Sequence, residues 1–214
     1  MSPLPAGPFS CILADPPWRF QTRSAKGRNR CPDDTSARPT RAAQRSCFPE
    51  RHYPTMTQAE IKALPVASVA ARDCVLLLWA IDPMLPQAFE VAAAWGFAFR
   101  TVGFYWAKQR AAGWPSTAVD QTPQNKLFPM ATGYWTRANP EQCLLFTRGK
   151  PRRLSASVPR LIIAPRREHS RKPDDVYPRV EALCAGPRLE MFARAQRPGW
   201  TAWGNQIDAF GGAS

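Results

Sequence analysis

Apolar and polar positions along the chain alternate between short buried-strand patterns and helical or loop patterns. Phe9–Ala14 is a short apolar run that predicts a buried strand, and "CVLLLWA" (Cys74–Ala80) is a continuous one, the pattern of a strand buried on both faces. Thr57-Gln58-Ala59-Glu60 has capping-box spacing and predicts a helix to about Leu64. Asp82, with Pro83 in the first turn, predicts a capped helix ending near Trp95, before Gly96. Further strands are expected at about Arg100–Lys108, Gln142–Arg148 and Arg160–Ala164. Pro173 with Asp174 and Asp175 opens a helix through about Cys184, the acids suiting its positive end. Arg188–Ala193 and Trp200–Gly204 close the chain as strands. Strands alternating with helices imply an α/β fold with a mostly parallel central sheet. With 214 residues and no repeat or linker, residues 1–214 read as a single domain.

Two stretches escape this pattern. Residues 19–52 are rich in Arg, Ser, Thr and Pro and lack periodicity, so they predict a long mobile loop inserted in the domain. Residues 109–140 are loop-rich and hold Gly133-Tyr134-Trp135.

Composition narrows the class. A hydrophobic fraction of 44% argues for a packed core, and no apolar run approaches the roughly 20 residues that cross a bilayer. The start "MSPLPAGPFS" has no charged segment leading into an apolar one, so no secretory signal is read. Of the six cysteines, Cys11, Cys74, Cys143 and Cys184 lie in or beside apolar segments, which suits reduced core thiols and a cytoplasmic protein. Cys31, Cys47 and His52 have irregular spacing and predict no metal site, and neither a P-loop nor a catalytic triad is present.

The net charge of +13 changes the picture most. Residues 19–52 carry nine Lys/Arg against three acids, and residues 148–179 carry ten against three. These windows contribute +6 and +7, and the rest of the chain sums to zero. Clustered cation excess points to a polyanionic partner, nucleic acid before any other. The alternative is a solvated Arg-rich surface.

Chemistry concentrates at "CILADPPWRF" (11–20), where an acid and two prolines follow a strand. Ligands of open α/β sheets bind beyond the carboxyl ends of the strands, and Asp15 sits just past one. Pro16 and Pro17 fix two φ angles, so a carboxylate and neighbouring carbonyls form a rigid acceptor array. Such an array suits an exocyclic amine, with Trp18 able to offer a stacking face. On these residues alone, a rigid turn and a binding motif both stand.

"ADPPW" (14–18) resembles the catalytic motif of the S-adenosylmethionine-dependent adenine-N6 methyltransferases related to the catalytic subunit of the mRNA adenosine methyltransferase, a group with bacterial and phage relatives acting on DNA. The resemblance continues in order through "YPTMT" (53–57), "LLLWA" (76–80), "FYWAK" (104–108), "GYW" (133–135) and "CLLFTRGKP" (143–151). "SRKPDDVYPRVEAL" (170–183), "LEMFAR" (189–194) and "GWTAWGNQID" (199–208) complete it, so nearly the whole chain is covered except 19–52.

The resemblance implies a Rossmann-like methyltransferase fold, permuted so that the catalytic motif precedes the cofactor-binding segment, with helices on both sheet faces. It implies S-adenosylmethionine as cofactor, no metal, and methyl transfer to the N6 amine of adenine, DNA being preferred to RNA. Asp15, Pro16, Pro17 and Trp18 would be catalytic; Asp15, Lys172, Arg194, Asn205 and Gln206 would hold the cofactor, Lys172 through its carboxylate. Tyr53, Trp106, Lys108, Arg166, Arg167 and Arg171 would face the nucleic acid, whereas Trp79 is expected in the core. A half-buried anchoring role for Tyr53 is an equal alternative. The chain departs from the usual methyltransferase pattern in having no GxGxxG after "LEMFA", and Gln196 and Arg197 are not the polar pair expected there. Alternatives are RNA adenine-N6 or DNA cytosine-N4 methylation, or a catalytically silent nucleic-acid-binding subunit. No membrane contact is expected, and either a monomer or a homodimer is compatible. The two basic windows are expected to flank the acceptor site as a two-sided phosphate clamp.

Overall fold

A computed structural model describes residues 2–19, 55–110, 127–130, 133, 135–168 and 170–210. Seven strands form one sheet: β1 Phe9–Ala14, β2 Ala70–Ala80, β3 Ala98–Gln109, β4 Glu141–Arg148, β5 Leu161–Pro165, β6 Arg188–Met191 and β7 Trp200–Trp203. Their spatial order is β5-β3-β4-β2-β1-β6-β7. Pairings β1–β2, β1–β6, β6–β7 and β3–β5 are parallel. β4 alone runs against both its neighbours, β2 and β3, so the α/β sheet is mixed.

The helices among the described residues are α1 Gln58–Lys62, α2 Val66–Val69, α3 Leu85–Ala94 and α4 Val176–Leu183. α1 starts on the expected capping box, with Thr57 and Glu60 each closing the other's backbone N–H. The expected Asp82 cap is not found. Asp82-Pro83-Met84 is a 3₁₀ turn ahead of α3, and the Asp82 carboxylate instead accepts from Gln142 Nε2 at 3.1 Å. A second proline, Pro86, delays the α-helix because neither proline supplies an N–H to a preceding turn. The four-residue α2 is too short to carry a period and was not expected.

Alternation along the buried strands divides the core into two clusters. Ile12, Ala14, Leu76, Leu78 and Leu189 pack with Ile61 of α1, Val66 of α2 and Val91 of α3. Cys11, Leu13, Leu77 and Trp79 pack with Val176 and Val180 of α4. Because neighbouring positions on β1 feed opposite clusters, both faces of this strand must be apolar, as its unbroken pattern foretold. Each large aliphatic side chain so buried contributes about 1.5–3 kcal/mol.

This topology creates one crevice. From β1 the chain proceeds to β2 on one side, while β6 pairs with β1 on the other. The carboxyl ends of β1 and β6 therefore diverge into connections leading opposite ways, the arrangement at which open α/β sheets bind ligands. Reversal of β4 also divides the second basic window. Arg148 pairs with Cys74, so 148–153 leave the sheet at the edge opposite Asp15, while 166–172 follow β5 at Asp15's edge. A single clamp arm spanning 148–179 is thereby corrected to two separate segments.

Candidate active site

β1 ends at Ala14 and delivers Asp15 to the crevice, where its backbone N–H still reaches Met191 O of β6 at 3.4 Å. Beyond it the chain turns tightly. Trp18 N donates to Pro16 O at 2.8 Å, and Met56 N donates to Pro17 O at 2.9 Å, tying the motif to the segment that enters α1. Pro16 O retains a second lone pair.

Trp18 itself turns inward. It is 5% exposed, belongs to the core, and its indole N–H donates to Trp79 O at 3.2 Å. The expected stacking face is thus occupied by packing, and Trp18 supports the Asp15 turn from below. Trp79 is core, as expected, yet its ring borders the crevice.

The crevice is a pocket lined by Asp15, Lys172, Glu190, Phe192, Arg194 and Phe210, with Leu13 and Trp79 at its apolar base. Lys172 Nζ donates to both oxygens of Asp15, at 2.9 and 2.8 Å, and lies 3.3 Å from Glu141 Oε2. Glu141, the first residue of β4, also pairs with Lys108 Nζ at 2.6 Å. Charges alternate along the row Lys108–Glu141–Lys172–Asp15. Burial pushes the Asp15 carboxyl above its ordinary value, and the attraction of Lys172 only partly offsets it. Glu141 is buried too, but two ammonium groups overcome that and hold it at about 2.

A second network fixes the pocket's outer wall. Asp174 accepts from Arg167 and Arg197 and lies 3.5 Å from Arg171 Nη2. Burial opposes ionisation of Asp174, yet Arg167 and Arg197 keep its carboxyl below the usual range. The Arg197 guanidinium sits 3.8 Å from the centre of the Tyr177 ring, and Tyr177 OH donates to Glu190 Oε1 at 2.7 Å. Burial raises Glu190 to about 7, despite that hydrogen bond. Ser170 and Phe192, both on the wall, hold φ of 61° and 62°, the left-handed region that non-glycine residues rarely occupy. Gly204 lets the turn after β7 lie against the turn after β6, because a Cβ there would stand 2.5 Å from Ala193 O.

The structure therefore brings together Asp15, Lys172, Arg194 and Arg171 around the pocket. Arg194 and Arg171 flank the Phe210 ring, 4.2 and 4.8 Å from its centre. Asn205 and Gln206 lie in the turn after β7 and do not line this pocket. Trp106 is buried, its indole N–H donating to Ala164 O at 2.9 Å, and Lys108 joins the site only through Glu141. Arg167 is tied to Asp174 and to Lys172 O, while Arg166 is exposed at the same edge. Tyr53 and the greater part of 19–52 lie outside the described residues, as do Cys31, Cys47 and His52.

Glu141, Tyr177 and Glu190 were not expected in the site, whereas Arg197, whose contacts the resemblance left open, lines the pocket and pairs with Asp174. Glu190 carried a legible signal, a lone acid inside the apolar strand LEMF. Glu141 carried none, because only the pairing of β4 brings a strand's first residue to the edge where its neighbours end.

The donor set has a definite character. Cationic Lys172, Arg194 and Arg197 suit a carboxylate, Asp15 and Glu190 suit N–H and O–H donors, and Phe192, Phe210 and Leu13 offer apolar contact. A zwitterionic amino acid joined to an aromatic nucleoside matches all three, and S-adenosylmethionine has that composition.

Comparison with known proteins accords with this geometry. The chain is 29% identical over 210 residues to the Type II methyltransferase M.MunI from Mycoplasma sp, covering 95% of this chain and 80% of that protein. It is 28% identical over 208 residues to a probable N(6)-adenosine-methyltransferase MT-A70-like protein of Oryza sativa subsp. japonica, covering 94% of this chain. Against the human N(6)-adenosine-methyltransferase catalytic subunit METTL3 it is 26% identical over 206 residues, again covering 94% of this chain. The chain spans only 23% and 29% of those two eukaryotic proteins. The MT-A70 family model matches residues 9–206, and the chain belongs to the MT-A70 family.

Proposed function

We propose that this protein transfers the methyl group of S-adenosylmethionine to the N6 amine of adenine in nucleic acid, DNA being preferred. The observation that carries the reading is the Asp15 carboxylate, set by two prolines at the β1–β6 crevice and joined there to Lys172. DNA is favoured because the Type II methyltransferase M.MunI, to which the chain is 29% identical, is matched over 80% of its length. The fold supports a permuted Rossmann-like order with helices on both faces, since α1–α3 and α4 feed opposite core clusters. Residues 1–214 are read as a single domain with the basic insert 19–52, acting in the cytoplasm.

When bound, S-adenosylmethionine supplies an electrophilic methyl on a positive sulfur; Lys172 would hold its carboxylate, and Arg194 and Glu190 would contact the remainder. The acceptor amine is a poor nucleophile because its lone pair is delocalised into the purine. Asp15 and Pro16 O accept its two N–H groups, which favours a pyramidal nitrogen with a directed lone pair. As the N–C bond forms and positive charge grows on that nitrogen, the Asp15 carboxylate stabilises it without having to reorient. The C–S bond electrons would stay on sulfur, giving S-adenosylhomocysteine, and the nitrogen releases one N–H proton to solvent. Holding nitrogen and methyl in line supplies the proximity term. The base must leave its stack to reach Asp15, and cations at this edge grip the displaced backbone. A labelled-methyl assay on single- and double-stranded DNA and RNA, followed by nucleoside mass spectrometry, tests this. N6-methyladenine in DNA is expected. N4-methylcytosine would overturn the adenine assignment, and cofactor binding without any product would favour a silent subunit.

A further inference from the structure

The acceptor the reaction needs is half-buried and already paired in this structure. Both Asp15 oxygens lie within hydrogen-bond distance of one ammonium, Lys172 Nζ. That ammonium also faces Glu141 Oε2 at 3.3 Å and stands 5.5 Å from the centre of the Trp79 ring. An incoming amine therefore finds its hydrogen-bond acceptor already engaged by a cation, which repels N–H donors. Glu141 is anchored separately by Lys108, so it stays in place if Lys172 lets go of Asp15.

Resting on the methyltransferase reading, we propose that Lys172 is a switch between carboxylates: the cofactor's carboxylate draws it off Asp15, and only then does Asp15 accept the adenine amine. Nothing covalent changes. One ion pair is exchanged for another, and Glu141 remains a second anion beside the ammonium throughout. The stem of Lys172 pivots with its head kept in a field of fixed carboxylates, which limits the cost of the exchange. Burial raises the Asp15 carboxyl above its ordinary value, and Lys172 opposes that rise while the two are paired. The consequence is an order of binding, cofactor before base, enforced by one side chain. By linkage the coupling is reciprocal: whatever factor the cofactor lends to the base, the base lends to the cofactor.

The test needs no variant. The dissociation constant of a single-stranded DNA oligonucleotide with one adenine is measured by fluorescence anisotropy, alone and with saturating S-adenosylhomocysteine. It is repeated with decarboxylated S-adenosylhomocysteine, saturating by its own titration, and with an oligonucleotide carrying purine in place of adenine. S-adenosylhomocysteine is expected to tighten the adenine oligonucleotide by about 5-fold or more, within the usual range of site-to-site coupling. The decarboxylated analogue should produce no such tightening, and the purine oligonucleotide, which lacks the amine, should not respond. Equal tightening by both cofactor analogues, equal tightening of both oligonucleotides, or none at all overturns the switch and leaves the methyltransferase reading intact. Should the decarboxylated analogue not bind, the comparison of adenine with purine decides alone. Failure of S-adenosylhomocysteine itself to bind would remove the methyltransferase reading and the switch together.

Discussion

Asp15 is a half-buried carboxylate whose burial raises it above its ordinary value, a rise that the paired Lys172 opposes. Replacing it with Asn keeps the shape and removes a half-buried anion, while Lys172 retains Glu141 as partner. Asp15→Asn is therefore expected to fold with a melting temperature close to the parent's and to lose on the order of 10²–10³ in kcat, as loss of one preorganised transition-state contact does elsewhere. Single-turnover transfer and thermal melting check both halves. Glu190 supplies a pH test. Its carboxyl sits at about 7 in the folded protein against 4.5 ordinarily, so the native state binds the extra proton between those values. Stability from this group is thus greatest below pH 4.5, declines as pH rises toward 7, and is level above. Glu190→Gln cannot ionise, so its melting temperature relative to the parent should rise across that window. A constant offset from pH 4.5 to 8 would contradict the assignment.

At the scale of elements, the turn Asp15–Trp18 after β1 is shaped by prolines, the turn Phe192–Arg194 after β6 by the left-handed Phe192, and the turn after β7 by Gly204. A methyl at 204 would meet Ala193 O at 2.5 Å and Ala193 N at 2.8 Å, both backbone atoms. Gly204→Ala must therefore push the Phe192–Arg194 turn outward, at a cost of about 1–3 kcal/mol. Isothermal titration should show S-adenosylhomocysteine binding weakened at least as much as the melting temperature falls, because the displaced turn is the pocket wall. Much of this architecture was legible in sequence. β1 was read to its residue limits, and β2 and β4 within four residues, because continuous apolar runs have few alternatives. The Asp82 cap was misread because Asp-Pro is also a good opening for a 3₁₀ turn, and Gln142, sixty residues on in the chain, competes for the carboxylate. Asp15, Lys172 and Arg194 were found through ordered motifs, whereas Glu141 acquires meaning only from tertiary pairing.

For the whole molecule, the charge of +13 is less available to a polyanion than the count suggests. Arg167, Arg171 and Lys172 are committed to Asp174, Glu168, Asp15 and Glu141, and Arg148, Arg160 and Arg179 bond Ala67 O, Thr101 Oγ1 and Leu161 O. Arg166, exposed at the active edge, is the better phosphate ligand, while Arg152 and Arg153 are exposed at the far edge. Arg166→Ala is expected to weaken DNA binding and to reduce the slope of log affinity against log salt by about 0.9, the value of one phosphate contact. Arg152→Ala and Arg153→Ala should leave both quantities unchanged. Equal effects from the two edges would mean that DNA wraps the sheet rather than engaging one side.

The place of β1 has a consequence for how the molecule is made. Among the described strands it precedes the other six in the chain, yet it lies in the middle of the sheet, between β2 and β6. Its first neighbour emerges some sixty residues later, and its second only with Arg188–Met191. While the residues between β1 and β6 are being made, the strand that ends in Asp15 therefore presents an apolar, unpaired edge. Until β6 arrives, that edge is open to pairing with another nascent chain. The segment that closes the crevice thus also ends the period in which the protein is most exposed to aggregation.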